Sequence, residues 1–374
     1  MARSSAGKSN RKAGMGLPLK ITGIAVISAV IVEVVLILAL DSKAIPWKLV
    51  GPLLPLLVVA AGIVSYFFST TITRPLSRII DDVTKLADGN YSVRTRATGS
   101  DEIAILADSV NELAESLQMA DKSMKVVSQI EDDINLAAET QSLLLPQIVP
   151  KIPALDIYPW YESATALGGD YYDFIPVSPE HLGIVIADVS GKGITGSMIM
   201  GIFRSILRRF AEENLSTRDV LVRTNELLSR DLRRGMFVTV FYVIYHIPTN
   251  EITFSCAGHT PMIIHRAMSD TVEIVKPNGM AVGFDAGMVF NRNIQEHKLK
   301  LRPGDRLVLY TDGVVDAANR RGDKFGENKF YKFVKECSDL TSKEFLIEFE
   351  KEMSDFRKGE KKVDDLTLVT LKVN

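Results

Sequence analysis

Cysteine and histidine are scarce. The chain of 374 residues holds two cysteines, Cys256 and Cys337, and five histidines. Two distant cysteines make neither a paired metal knuckle nor a disulfide framework, which excludes a zinc-ribbon module and a small stapled fold. Both read as ordinary buried residues. An excess of either charge is missing too. Lys and Arg number 44 against 46 Asp and Glu, a formal charge of −2. That excludes a strongly basic nucleic-acid binder and an acidic disordered chain. What is present is 46% hydrophobic residues, ordinary for a folded protein, over a length that allows two or three domains. Mean hydropathy is +0.11, and its apolar part is concentrated.

Two stretches carry it. Residues 21–40 (ITGIAVISAVIVEVVLILAL) hold one charge, Glu33, and residues 49–68 (LVGPLLPLLVVAAGIVSYFF) hold none. At a rise of ~1.5 Å per residue, a helix of either length would cover a ~30 Å hydrocarbon core. The expectation is a transmembrane hairpin around a short external loop, 41–48, with Trp47 as interfacial anchor. Residues 1–20 carry five Lys or Arg and no acid, and Arg74, Arg78 and Lys85 follow the second stretch. The positive-inside rule then predicts a multi-pass protein of the inner (cytoplasmic) membrane, with both termini and the bulk of the chain in the cytoplasm. Glu33 reads as a functional acid or as a protonated carboxyl between helices.

Beyond residue 70 the apolar pattern becomes heptad-like. Thr73-Arg74-Pro75-Leu76 opens a helix, where proline has no hydrogen bond to lose. Leu76, Ile79, Val83 and Leu86 follow at heptad spacing, and Asp88-Gly89-Asn90 makes a turn. A second helix is predicted from Asp101-Glu102, with apolar residues at Ile103, Leu106, Val110, Leu113, Leu117, Ala120, Met124 and Val127. That period predicts a parallel coiled coil, hence a homodimer. Glu131 interrupts the seam, and Ile134, Ala138 and Leu145 resume it. Residues 119–146 therefore read as a coiled-coil linker able to act as a switch. The helix–connector–helix of residues 71–118 resembles a HAMP domain, the relay of bacterial receptors. Ala104 stands where many such domains have glycine.

Residues 147–374 change period again. Strand-like runs at 155–161, 171–177, 182–187, 237–247, 251–256, 262–266 and 306–310 are joined by short turns, which predicts antiparallel pairing. Helical patterns fall at 196–213, 217–233, 329–336 and 342–356. The expected fold class is α/β, a layered α-β-β-α sandwich of antiparallel sheets behind the membrane helices and the helical stalk. Acids recur at strand ends: Asp170, Asp188, Asp312, and Asp364 with Asp365. One such acid is usually a turn former. Four at one sheet mouth repel each other unless protonated or neutralised. An oxygen-only ligand set without His or Cys suits Mg²⁺ or Mn²⁺ better than zinc.

Six segments occur in a characteristic order: GGDYYDF (168–174), ADVSGKGITGS (187–197), FVTVFY (237–242), AGHTP (257–261), LVLYTDGV (307–314) and DDLTLV (364–369). Together they resemble the metal-dependent (2C-type) protein phosphatases, in particular the bacterial stage II sporulation E-type branch. QSLLLP at 141–146 resembles that branch's helical lead-in. The resemblance implies two divalent cations, Mn²⁺ or Mg²⁺. Asp188 would bridge them, the Val189 carbonyl would bind one, Asp312 and Asp364 would hold the second, and Asp170 would bind or orient the associated water. It also implies hydrolysis of phosphoserine or phosphothreonine without a phosphoenzyme. The implied substrate is a phosphorylated STAS-type anti-sigma-factor antagonist; nucleic acid is no partner.

Departures and competing readings are specific. Eukaryotic members carry an arginine upstream of the first metal aspartate, and none lies between Lys151 and Asp170. A catalytically inactive phosphatase-fold scaffold is the alternative function. The echo of a GGDEF loop in GGDYYDF fails, because Tyr171 replaces the acid and Asp312 and Asp364 would have no role. His259 is a general-acid candidate or a turn-shaping residue. Lys192 is a phosphate contact or an exposed turn lysine.

Overall fold

The computed structural model describes residues 53–96, 102–360 and 362–374, with scattered positions between 23 and 38. The chain divides into two compact units, Met1–Gln129 and Ile130–Asn374.

In the first unit, α1 (Leu53–Phe68) runs into a π-helical turn (Ser69–Thr73) and then α2 (Arg74–Ala87). Pro75 explains the turn. Its ring would clash with the carbonyl one α-turn earlier, and widening the helix removes the clash. The Thr71 hydroxyl donates to the Phe67 carbonyl at 2.7 Å, and that of Thr70 to the Tyr66 carbonyl at 3.0 Å.

The expected multi-pass placement in the inner membrane is overturned here. Among the described residues, no helix is long and apolar enough to cross a membrane. α1 is the described part of the expected second span, residues 53–68. Its continuation is the threonine-rich π turn. The first expected span, apart from scattered positions, and the loop 41–48 lie outside the described residues.

α2 packs on the first part of α3 (Glu102–Ser142). Ile79 and Leu86 meet Ala107, Val110 and Ala114, with Tyr91, Val93 and Ile103 alongside. The connector is pinned by Asn111, whose side chain exchanges hydrogen bonds of 2.8 and 2.9 Å with the Thr95 backbone. The heptad reading merged two faces of α3. Small Ala107 and Ala114 allow α2 to approach within the chain, whereas Leu106 and Leu113 remain exposed. Glu131 does not break α3, which is helical throughout.

The second unit is the expected four-layer sandwich. One sheet has the order β1-β10-β9-β6-β7 and the other β2-β3-β4-β5-β8, with every pairing antiparallel. The strands are β1 (Leu155–Glu162), β2 (Tyr171–Ser178), β3 (His181–Val189), β4 (Val238–His246), β5 (Glu251–Ala257), β6 (Met262–Arg266), β7 (Thr271–Val275), β8 (His297–Lys300), β9 (Arg306–Tyr310) and β10 (Leu366–Val373). Period-two alternation divides each central strand between two cores. Ile184, Ile186, Phe241 and Val243 face Leu309, Val369 and Leu371 of the other sheet. Val185, Val240 and Tyr242 face the helices α4 (Ile194–Ala211) and α5 (Thr217–Asp231). The outer face of the first sheet is covered by Phe330, Phe333, Phe345 and Phe349. These come from α8 (Glu327–Glu336) and α9 (Ser342–Arg357), which follow two short helices, α6 (Met288–Asn293) and α7 (Asp312–Asp316). The sequence reading missed β7 and β8. Both are edge strands with polar, exposed positions, so neither has a buried run to reveal it.

Candidate active site

The four acids come two from each sheet. Asp170 leads directly into β2 and Asp188 lies near the end of β3, neighbouring strands in which Tyr171 pairs with Ala187. Asp312 follows β9 and Asp364 precedes β10, neighbours in the other sheet through Leu368 and Tyr310. Antiparallel pairing turns the end of one strand and the start of the next to the same edge. All four acids therefore gather where the two sheets meet.

Asp170 is the buried member. Its Oδ2 accepts hydrogen bonds from the hydroxyls of Thr311 (2.8 Å) and Thr367 (2.5 Å), both on the opposite sheet. Burial, and then the Asp188 charge, push Asp170 well above the ordinary carboxylate range. Burial, with Asp312 and Asp364 next, pushes Asp188 up to about 7. Asp312 is raised for the same reasons, burial first and then Asp364. This is the mutual repulsion expected of clustered carboxylates.

Among the described residues, no group of three or more His, Cys, Asp or Glu side chains is arranged to hold a metal ion. The partners explain this. Asp170 is turned onto two threonines, and Asp364 onto Lys192, whose Nζ lies 3.1 Å from its Oδ2. The donor chemistry nonetheless suits a hard cation: four carboxyls, three of them raised by burial and by one another.

Backbone completes the site. Val189 closes β3 against Val238, and its carbonyl lies so near Gly169 that a Cβ there would approach within 3.0 Å. A Cβ on Gly313 would stand 1.9 Å from the Asp365 carbonyl, so only glycine fits between the β9 and β10 ends.

Several functional residues went unrecognised in the sequence. Asp365 is not turned outward beside Asp364. Its carboxylate accepts from the Gly169 N–H at 2.6 Å, the Ala164 N–H at 2.8 Å and the Ser163 hydroxyl at 3.0 Å. It thus straps the loop before Asp170 to β10. Thr311 and Thr367 hold Asp170 and also bond each other's backbone, Thr367 N–H to Thr311 Oγ1 at 3.0 Å. Gln141 exchanges hydrogen bonds of 2.7 and 3.2 Å with the Gly168 backbone. The only signal was position: Thr311 directly precedes Asp312, and Thr367 lies two residues after Asp365.

His259 proves to be structural. It is buried, its Nδ1 lies 2.8 Å from the Thr239 hydroxyl, and Thr239 reaches the Asp188 carbonyl at 3.4 Å. Burial pulls the imidazole down to about 3, so no imidazolium is on hand to act as an acid at neutral pH.

The chain matches the stage II sporulation protein E (SpoIIE) family over residues 178–374 and the HAMP domain family over residues 67–119. It is 29% identical to phosphoserine phosphatase RsbU of Bacillus subtilis over 197 residues, covering 53% of this chain and 57% of that protein. It is 26% identical to protein IcfG of Synechocystis over 356 residues, covering 84% of this chain and 54% of the relative. The chain thus spans about half the length of the curated relatives it matches. The fold also matches the SiaA-PP2C domain of Pseudomonas aeruginosa, with a TM-score of 0.59 at 18% identity, covering 67% of this chain and 99% of that domain. With a PP2C-like sandwich carrying the family match and a HAMP domain preceding it, this chain belongs to the stage II sporulation protein E (SpoIIE) family.

Proposed function

We propose that the chain is a metal-dependent protein serine/threonine phosphatase regulated through its HAMP domain. Residues 71–118 form the relay, residues 119–146 the linker and residues 147–374 the catalytic part. The observation that carries the reading is the meeting of Asp170, Asp188, Asp312 and Asp364 from two sheets, with the first three raised by burial and mutual charge. Asp188, Asp312, Asp364 and the Val189 carbonyl would hold two divalent cations, Mn²⁺ or Mg²⁺, with Asp170 as a further ligand or water-orienting acid. When bound, such cations neutralise the acids, activate water and stabilise charge on a phosphoryl group. The chain's own part is orientation. Thr311 and Thr367 fix Asp170, Asp365 fixes the loop before it, and the Gly191–Gly193 turn lets backbone approach a phosphoester closely. Family membership and the likeness to RsbU, a phosphoserine phosphatase, support a phosphorylated STAS-type anti-sigma-factor antagonist as substrate.

The test is hydrolysis of p-nitrophenyl phosphate, and of a serine-phosphorylated STAS domain, by the full chain. Turnover should require Mn²⁺ or Mg²⁺ and should fall by about a thousandfold in Asp312→Ala. Equal rates in the two proteins would overturn the site. No cation-dependent turnover on either substrate would favour the inactive scaffold.

The relay is proposed to work as a homodimer. Along α3, Leu106 is 43% exposed, Leu113 53%, Met124 77% and Val127 53%. These lie at heptad positions that the α2 contact leaves uncovered, the arrangement of a seam awaiting a second copy. Leu113→Cys should crosslink into a covalent dimer on mild oxidation, read on a non-reducing gel. Persistent monomer would count against the dimer.

A further inference from the structure

Lys192 is a lysine whose side chain faces into the acid cluster. It sits between Gly191 (φ 109°) and Gly193 (φ 66°), a backbone that side chains rarely adopt. The double glycine turn carries residue 192 from the end of β3 to the segment before β10. There its Nζ pairs with Asp364 Oδ2 at 3.1 Å and donates to the Val363 carbonyl. The same ammonium acts electrostatically on Asp312. It is therefore a cation supplied by the chain itself to two acids proposed above as ligands of one metal.

We propose that Lys192 competes with the divalent cation for Asp364 and so sets the metal affinity of that half of the site. This rests on the metal-site reading above. The ammonium is a compact point charge on a long flexible stem, and it is half exposed, so it can leave Asp364 without disturbing the fold. A divalent cation of hard-oxygen preference displaces it once concentrated enough. The effect is a raised apparent Kd for the metal, which must outcompete a tethered ion always at hand. Lys192 is here a positioning residue for the metal site, distinct from a phosphate contact, because the competition operates before any substrate binds.

The experiment is Mn²⁺ binding to the full chain by isothermal titration calorimetry, without substrate. An exposed pair is worth little, so Lys192→Met should tighten Mn²⁺ by about fivefold. Lys192→Arg keeps the charge and should stay within about twofold of wild type. In an Asp364→Asn background, Lys192→Met should bring no gain, which isolates the pair as a double-mutant cycle. Thermal melting checks that each variant is folded. Equal or weaker binding by Lys192→Met overturns the competition, as does a gain that survives Asp364→Asn. Absence of saturable Mn²⁺ binding in wild type would instead overturn the metal-site reading beneath it, a separate result.

Discussion

Replacing Asp188 by asparagine should give a chain that melts higher in EDTA yet hydrolyses phosphoesters at least about a thousandfold more slowly. Both effects have one cause. Asp188 is pushed up to about 7 by burial, Asp312 and Asp364, whereas an unfolded aspartate titrates near ~3.9. The folded chain retains a proton that the unfolded chain has already released. Metal-free stability therefore falls as pH rises from about 4 to about 7, and stays low above that. Asp170 and Asp312 are shifted in the same direction and add to the slope. Asparagine removes the charge and keeps the shape, which relieves the repulsion. Each kcal/mol recovered raises the midpoint by about 2–4 °C at this size. The same change deletes the carboxylate proposed to bridge the metals. Scanning calorimetry of wild type and Asp188→Asn in EDTA at pH 5 and pH 8 checks it. The variant should gain most at pH 8, and a variant that melts lower at both values would refute the account.

Asp365→Ala should cost more stability than any change to the metal-facing acids. Its carboxylate accepts from Gly169 N–H, Ala164 N–H and the Ser163 hydroxyl. Hydrogen bonds to a charged acceptor contribute roughly 1.5–3 kcal/mol each, and leaving buried N–H groups unpaired forfeits that and their desolvation. A loss of about 3–5 kcal/mol is expected, read as a lower urea midpoint at an unchanged slope. Activity of the remaining folded protein should fall about a hundredfold, since the loop that positions Asp170 loses its strap. Asp365→Asn should be intermediate in stability. It keeps one acceptor oxygen, but its amide would set a donor against a donor. If Asp365→Ala matched wild type in both midpoint and rate, the strap would carry no such role.

Much of this was legible in the sequence for a physical reason. The central strands announce themselves because each is buried, as in the runs ending at Asp188 and Asp312. The four candidate acids stood out only as a set, because one acid at the end of such a run is usually a turn former, whereas four at one sheet mouth repel each other unless neutralised. The site's supports were not. Thr311, Thr367 and Gln141 are common polar residues whose roles depend on what the opposite sheet or the long helix brings alongside. Asp365 looked like a second copy of Asp364, and only three-dimensional pairing separates an inward carboxylate from an outward one. α3 misled for another reason. Two apolar faces on one helix sum to a single heptad, and sequence cannot say which is already covered by Ile79 and Leu86. Hydropathy alone likewise gave no sign that the apolar stretch ending at Phe68 passes into a polar π turn.

The position of β10 has a consequence for synthesis. It is the last of the ten described strands in chain order, yet it lies between β1 and β9. Asp364, Asp365 and Thr367 all belong to it or lead into it. A nascent chain emerging from the ribosome can fold its second sheet early, because β2 to β5 and β8 are already made. It presents only Asp170, Asp188 and Asp312 until the final strand inserts, and the loop before Asp170 stays unstrapped until then. A chain that stopped between residues 300 and 364 would carry every strand of the second sheet together with Asp170, Asp188 and Asp312, and would lack the Asp364, Asp365 and Thr367 side of the candidate site.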